Sequence, residues 1–191
     1  KDRKLDILWK NRSRNESLVV MLVKKADDYQ SWYIEEVDYG ILIDPWLDNK
    51  LNPYSSFFLQ RKRHRSHSLE EREIEKVKAI IITAPFADHL HVPSLKQLGQ
   101  DRIIYSTKTV RKILKKQKIN NLFKQIEEID EIGPFSFSSF PAGFPYNRSA
   151  FSLLISNEDG KSVYHEGHNV NLKQLKKNRI QSDVAIITSE S

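Results

Sequence analysis

Acidic and imidazole side chains follow three apolar segments of this sequence. Asp44 follows GILI, Asp88 and His89 follow AIIIT after a short loop, and His168 comes shortly after SVY. In layered α/β folds ligands collect at the carboxyl ends of strands, because the strands are rigid and the loops beyond them converge. Carboxylate oxygens and neutral imidazole nitrogens suit zinc and other divalent ions. The pattern therefore indicates a candidate metal site.

Each of these residues also has a structural interpretation. Asp44 precedes Pro45 and is a typical turn residue. His89 and His91 fit a surface loop, and His165 fits a strand residue that faces water. Nothing in the sequence itself shows that these groups converge.

The segments between these residues alternate between strands and helices. Runs rich in β-branched and aromatic residues predict strands at 18–24, 31–37, 40–46, 78–83, 102–106, 135–141, 150–156, 162–166 and 183–188. Helices are predicted at 69–77 after a Ser68 cap, at 92–99 with Gly99 as the stop, from Thr107 to Gln117, and at 171–178. Turns are expected at 38–40 and 157–160, and a long loop at 49–68. This order predicts one α/β domain of two sheets covered by helices.

Composition excludes some kinds of site and partner. The 191 residues include no cysteine, so disulfides and thiolate metal sites are excluded. No apolar run approaches the roughly 20 residues that cross a bilayer. We therefore expect a cytoplasmic protein, or an organellar one if an upstream targeting segment was removed. The sequence does not identify a partner, and a homo-oligomer is compatible with it.

Positive charge is clustered in two segments. The net charge is +6, and it favours an anionic small molecule or nucleic acid as partner. Five basic residues are the candidate anion-binding groups: Arg61, Lys62, Arg63, Lys115 and Lys116. Because no aromatic residues interleave with them to stack bases, a solvated loop and the wet face of a helix are the preferred interpretation.

A series of motifs resembles a known family. ILIDPWL, IIITAPFADHLHVPSL, FPAG, SVYHEGHNVNL and SDVAIIT occur in this order. Together they resemble the metallo-β-lactamase superfamily, in particular its ascorbate-6-phosphate lactonase-like and phospholipase-D-type branch. The resemblance extends from about Leu5 to the end of the chain. It implies an αββα four-layer sandwich, and one such domain over residues 1–191 that lacks its C-terminal part. It also implies metal-dependent hydrolysis of a phosphoester, lactone or amide.

The family's metal motif is only partly present. It reads Thr-His-x-His-x-Asp-His, and Thr83, Asp88 and His89 match it, whereas Ala84 and Phe86 replace the first two histidines. The resemblance thus implies that the first metal position has lost its imidazoles.

The other family ligands are also changed. Gly143 or Phe144 stands where the third histidine is expected, and Arg12 stands in place of an early histidine. His168 follows Gly167 in place of the bridging aspartate. A last histidine would follow the DVAII strand.

These residues leave three functions open. The preferred one is a degenerate, catalytically impaired or inactive member of the hydrolase fold. The second is a mononuclear hydrolase of a phosphodiester or lactone, with one zinc held by Asp88, His89 and His168; Asp88 and Asp44 are its candidate catalytic carboxylates, with Asp44 as a base or as support for a ligand. The third is nucleic-acid binding through the basic clusters. The expected cofactor is accordingly none or a single zinc.

Overall fold

Two β-sheets lie at the centre of the structure, a computed structural model that describes residues 6–10, 20–51, 61–62 and 67–187. In chain order the strands are β1 (Asp6–Lys10), β2 (Val20–Lys25), β3 (Trp32–Glu36), β4 (Tyr39–Ile43), β5 (Lys50–Leu51), β6 (Arg61–Lys62), β7 (Val77–Ile81), β8 (Ile103–Ser106), β9 (Phe123–Gln125), β10 (Glu131–Ile132), β11 (Phe135–Pro141), β12 (Phe151–Ser156), β13 (Ser162–His165) and β14 (Val184–Ile186). The larger sheet has the order β1-β2-β3-β4-β7-β8-β9 and the smaller one β10-β11-β12-β13-β14, while β5 pairs only with β6.

The direction of the strands changes within each large sheet. Strands β1 to β4 are antiparallel, and β4, β7, β8 and β9 are parallel to one another. In the smaller sheet β14 runs parallel to β13, and the remaining pairs are antiparallel. Because β4 and β7 are parallel neighbours, the residues that follow them emerge at the same edge.

Helices flank this pair of sheets. They are α1 (Glu71–Lys76), α2 (Val92–Leu98), α3 (Lys108–Lys116) and α4 (Leu172–Asn178). Apolar side chains of α2 and α3, such as Leu95 and Val110, pack against the outer face of the seven-stranded sheet. No residue of α4 is fully buried. The expected α/β class with paired sheets and flanking helices is confirmed.

Strand β7 shows how the core is divided. Ala79 and Ile81 pack towards the second sheet, against residues such as Phe135 and Leu153. Ile80 joins the helical side of the same sheet. Ala79, Ile80 and Ile81 are all fully buried, as expected for a parallel strand covered on both faces. Such a strand has an apolar sequence without alternation, and this pattern made β7 recognisable in the sequence.

Several predicted boundaries were wrong. The turn after β3 is formed by Val37 and Asp38, and Tyr39 already belongs to β4. Helix α1 begins at Glu71 and has Glu70 as its N-cap, whereas Ser68 donates its hydroxyl to the Lys25 carbonyl over 2.6 Å.

Short strands were missed. The segment 49–68, expected to be a loop, contributes β5 and β6, while 52–60 and 63–66 lie outside the described residues. Strands β1, β9 and β10 were not predicted either. Short edge strands carry too few residues for a recognisable pattern. Over the described parts of the chain, no helix combines the length and apolar character that crossing a bilayer requires.

A buried ion pair joins α1 to the sheet. The Lys24 ammonium lies 2.9 and 2.8 Å from the two carboxylate oxygens of Glu73, and both side chains are about 94% buried. Glu73 also accepts the backbone N–H of Glu70 over 2.7 Å. The pair is therefore coupled to the start of the helix.

We expect Glu73→Ala to lower the free energy of unfolding by about 3–5 kcal/mol, because it leaves the Lys24 ammonium buried without its partner. Urea denaturation measures this loss. Glu75→Ala, an exposed change on the same helix, is the control and should cost less than about 1 kcal/mol. Equal losses for the two variants would contradict the assignment.

Candidate metal centre

Three loops meet at the edge where β4, β7 and β13 end. Asp44 follows β4, and its backbone N–H donates to the Ile81 carbonyl of β7 over 2.9 Å. Asp44 has a φ of 46°, a left-handed conformation that Asp tolerates better than most residues. The loop after β13 lies alongside, where the Thr83 hydroxyl is 3.4 Å from the Gly167 carbonyl oxygen. The edge therefore gathers residues that are distant in sequence.

The Asp44 carboxylate is buried and fully engaged. It is 1% exposed. Its Oδ1 accepts the backbone N–H of Thr83 over 2.8 Å. Its Oδ2 accepts the Thr83 hydroxyl and lies 2.8 Å from Nδ1 of His89. Such contacts offset the desolvation of the charge. Asp44 thus holds both the end of β7 and the imidazole of His89.

The contact with Asp44 fixes how His89 is oriented. A proton on Nδ1 donates to the carboxylate, so the other ring nitrogen, Nε2, carries the lone pair in the neutral form. Burial lowers the pKa of His89, but the charge of Asp44 and the hydrogen bond it accepts outweigh burial, and the net shift is upward. His89 is 2% exposed, so its ring has little freedom to turn.

Two further ligand atoms lie beside Nε2 of His89. Oδ2 of Asp88 is 3.5 Å away, and Nδ1 of His168 is 3.3 Å away. One ligand atom from each of these three residues lies within 4.8 Å of the other two. Asp88 has 23% of its side chain exposed and His168 is half-buried, so the group is open to solvent on one side.

This donor set fits one divalent ion. One carboxylate and two imidazoles match three-ligand catalytic zinc sites, in which the remaining position is left for water or substrate. Nδ1 of His89 is hydrogen-bonded to the Asp44 carboxylate, and such a contact is usual for metal-bound histidines. The structure therefore brings together the three predicted ligands, and it places Asp44 behind one of them.

The adjacent space is apolar. Ala84, Ala142 and Ala150 form a buried cluster against which Phe86 and Tyr146 pack. The Phe86 ring centroid lies 4.6 Å from that of His168. Neither Ala84 nor Phe86 has an atom that can coordinate a metal, so the family's first two histidine positions contribute no ligand.

Gly143 and Phe144, at the position of the third family histidine, contribute no ligand either. The Gly143 N–H donates to the Asn169 carbonyl over 2.8 Å, and the Phe144 side chain is 87% exposed. Arg12 lies outside the described residues.

Three histidines differ from their structural interpretation. His89 is buried and not a surface residue. His91 is half-buried and stacks on Trp46, with ring centroids 4.0 Å apart. His165 was interpreted as a strand residue that faces water, but it is 3% exposed. It is the last residue of β13, which pairs with β12, and it lies in the interior between the sheets. Burial lowers the pKa of His165 to about 4.

Lys115 and Lys116 are not part of this group. Lys115 and Lys116 are exposed on the last turn of α3. Arg61 and Lys62 form β6, but their side chains and all of Arg63 lie outside the described residues. The solvated helix face is therefore the better interpretation of Lys115 and Lys116.

Sequence reasoning missed several residues that shape the centre. The Ser31 hydroxyl donates to the Asp44 carbonyl over 2.8 Å, and Asp27 accepts the Ser31 N–H over 2.8 Å. The Tyr146 ring lies 4.4 Å from that of His168. No motif or spacing relates Ser31 or Tyr146 to the ligands, so no signal in the sequence could have found them.

Comparison with known proteins supports the fold independently. A family model described as "Beta-lactamase superfamily domain" matches residues 39–187. A search of curated proteins found no match.

Solved structures share the architecture. A possible metal-dependent hydrolase from Veillonella parvula superposes with a TM-score of 0.70 at 18% identity, covering 87% of this chain and 71% of that one. Isothiocyanate hydrolase from Delia radicum gut bacteria gives 0.62 at 17% identity, covering 85% and 69%. The metallo-beta-lactamase fold protein YhfI from Bacillus subtilis gives 0.60 at 14% identity, covering 86% and 69%. At these identities the similarity concerns the fold.

We expect Asp44→Asn to weaken zinc binding by about 10- to 100-fold, because the amide no longer holds His89 with a charge-assisted hydrogen bond. Competition with a chromophoric chelator measures the affinity, and circular dichroism confirms folding. Asp101→Asn, an exposed change, is the matched control. Unchanged zinc affinity in a folded Asp44→Asn protein would contradict this role.

The buried His165 predicts a pH-dependent stability. Its pKa falls from an ordinary 6.5 to about 4, chiefly through burial, with the charge of His89 lowering it further and that of Asp44 opposing. The unfolded chain therefore binds a proton between these values that the folded protein does not. Stability is present above pH 6.5 and is lost as the pH falls towards 4, by up to about 3 kcal/mol.

Urea denaturation of the protein and of His165→Phe between pH 7 and 4.5 tests this effect. The stability of the variant relative to the unchanged protein should rise as the pH falls. A difference between the two proteins that is independent of pH would contradict a neutral His165.

Proposed function

Because this chain belongs to the beta-lactamase superfamily, we propose that it is a hydrolase that uses a single divalent metal ion held by Asp88, His89 and His168. One observation carries the proposal: the three ligand atoms lie within 4.8 Å of one another while Asp44 occupies the remaining nitrogen of His89. Ligand atoms this close together need only small side-chain movements to bind one ion. In this proposal the protein binds one ion and does not use the two-metal mechanism of dinuclear hydrolases.

The residues have separate roles. A bound zinc ion supplies Lewis acidity, which polarises a carbonyl or phosphoryl oxygen and makes water more acidic. His89 presents Nε2 because Asp44 holds Nδ1, and His168 completes the group from the opposite loop. The Asp88 side chain is 23% exposed, so its carboxylate is the acidic group that can reach a proton on the substrate side. Asp44 is a positioning residue, since Thr83 and His89 occupy its oxygens.

The substrate class follows from the family resemblance. A single bound ion would polarise one oxygen of the ester group in a phosphodiester or a lactone. In dinuclear enzymes a second ion stabilises additional charge in the transition state. We therefore expect slow turnover compared with dinuclear members of the fold.

A non-catalytic descendant of the fold is the second candidate. The apolar cluster of Ala84, Ala142 and Ala150 with Phe86 and Tyr146 favours it. These side chains pack where the first metal position of the family would be, and their packing stabilises the loops without an ion. Such a protein would keep the fold for binding.

Metal analysis distinguishes the two candidates. After dialysis against zinc or manganese, we expect one bound ion per chain by elemental analysis, and less than a tenth of that in Asp88→Ala and His168→Ala. His91→Phe, which keeps a ring on Trp46, is the control and should retain the ion. Absence of bound metal in the unchanged protein would refute the single-metal hydrolase.

Turnover is the second part of the test. Bis(4-nitrophenyl) phosphate and a panel of lactones serve as substrates, and activity should disappear with a chelator and in His89→Ala. Full metal occupancy with no turnover of either substrate class would favour the non-catalytic candidate.

A further inference from the structure

We propose that a pocket beside the metal centre binds a small zwitterion, an α-amino acid with an aliphatic side chain. The pocket has a volume of about 250 Å³ and is formed by the β2–β3 region and the ends of β13 and β14. Its lining includes Lys25, Gln30, Trp32, His165, Glu166 and Ile186. This site is separate from the candidate metal ligands, and ligand binding to it does not require a metal ion.

Two buried polar atoms in this pocket lack partners. His165 is 97% buried, and its Nδ1 has no hydrogen-bond partner among the described residues. In the same part of the chain, the buried Oε1 of Gln30 also has none. Leaving such a group unsatisfied is energetically costly, and native proteins rarely do so. Both residues line the cavity, so we expect a polar ligand in it to supply the missing hydrogen bonds.

The charges of the lining select the ligand. Lys25 brings an ammonium group that makes no hydrogen bond or ion pair with the residues that the structure describes. Glu166, 5% exposed, brings a carboxylate to the same pocket. Glu166 repels a simple anion and Lys25 repels a simple cation. A molecule with one carboxylate and one ammonium group is attracted to both side chains.

Size and apolar lining narrow the class further. Trp32 and Ile186 offer apolar surface. The volume is below the roughly 300–1,000 Å³ of drug-sized pockets, so the pocket suits a ligand of about the size of a single amino acid. An aliphatic amino acid presents both charges and one small apolar group, which matches this lining.

The pocket shares a wall with the metal centre. Gly167 lines it and leads directly into His168. A β-carbon at position 167 would collide with the Phe151 carbonyl oxygen and crowd Thr83, so this loop has little room to move. A ligand in the pocket therefore contacts the segment that positions a metal ligand.

Calorimetric titration of the full chain with L-leucine tests the proposal. The protein is first treated with a chelator to remove metal. We expect L-leucine to bind, and 3-methylbutylamine and 4-methylpentanoate, which lack the carboxylate and the ammonium group, to bind at least 10-fold more weakly. These analogues test the charge requirement without changing the protein. No detectable leucine binding, or equal binding of all three compounds, would overturn the proposal.

Variants locate the site. Lys25→Met and Glu166→Gln should each weaken leucine binding at least 10-fold, whereas Lys78→Met, an exposed lysine on β7, should leave it unchanged. Unchanged affinity in Lys25→Met would overturn the assignment. Leucine binding that requires added zinc and is lost in Asp88→Ala would also do so, since the amino acid would then be a metal ligand. Failure of zinc binding or turnover, by contrast, affects only the proposed hydrolase.

Discussion

A single buried carboxylate organises the functional edge of this protein. Burying the Asp44 charge without partners would cost several kcal/mol, and its contacts with Thr83 and His89 offset that cost. The same contacts connect the end of β4 to the end of β7 and fix an imidazole that comes six residues after Thr83. Removing any one partner would leave the others buried and unsatisfied. The geometry of the candidate metal centre therefore depends on Asp44 more than on the ligands themselves.

The centre has a polar half and an apolar half, and they differ in what keeps them ordered. The ligand atoms of Asp88, His89 and His168 converge through a hydrogen-bond network. Phe86 and Tyr146 pack around the His168 ring from the other side. Aromatic contacts of this kind restrict the ring without coordinating anything. The loops are consequently held in place on both sides, and the candidate metal ligands lie on the polar side.

The loop between β13 and α4 serves two surfaces at once. Glu166 in this loop and His165 at the end of β13 line the pocket, while His168 belongs to the candidate metal centre. Gly167 is the point of contact between the two, where the Phe151 carbonyl leaves no space for a side chain. The residues of the pocket and of the candidate metal centre are therefore adjacent along one packed segment.

Local sequence was sufficient for much of the fold. The apolar run around Ile80 and Ile81 predicted a strand buried on both faces, and Thr107 and Gly99 marked helix boundaries where the structure has them. Such features depend on neighbours in sequence. Short strands such as β9 and β10, and the start of α1 at Glu71, were missed because cross-strand pairing and the Glu70–Glu73 contact decide them.

The site divides in the same way. Sequence alone identified Asp44, Asp88, His89 and His168 as residues with the right chemistry after apolar strands. Only the tertiary structure decided that His89 is buried against Asp44 and that His168 approaches it from 79 residues away. It also decided that His165 lies inside and not in water, since burial depends on the second sheet packing over the first. Residue type fixes what a side chain can do, whereas its partners and its dielectric surroundings come from segments that no local pattern specifies.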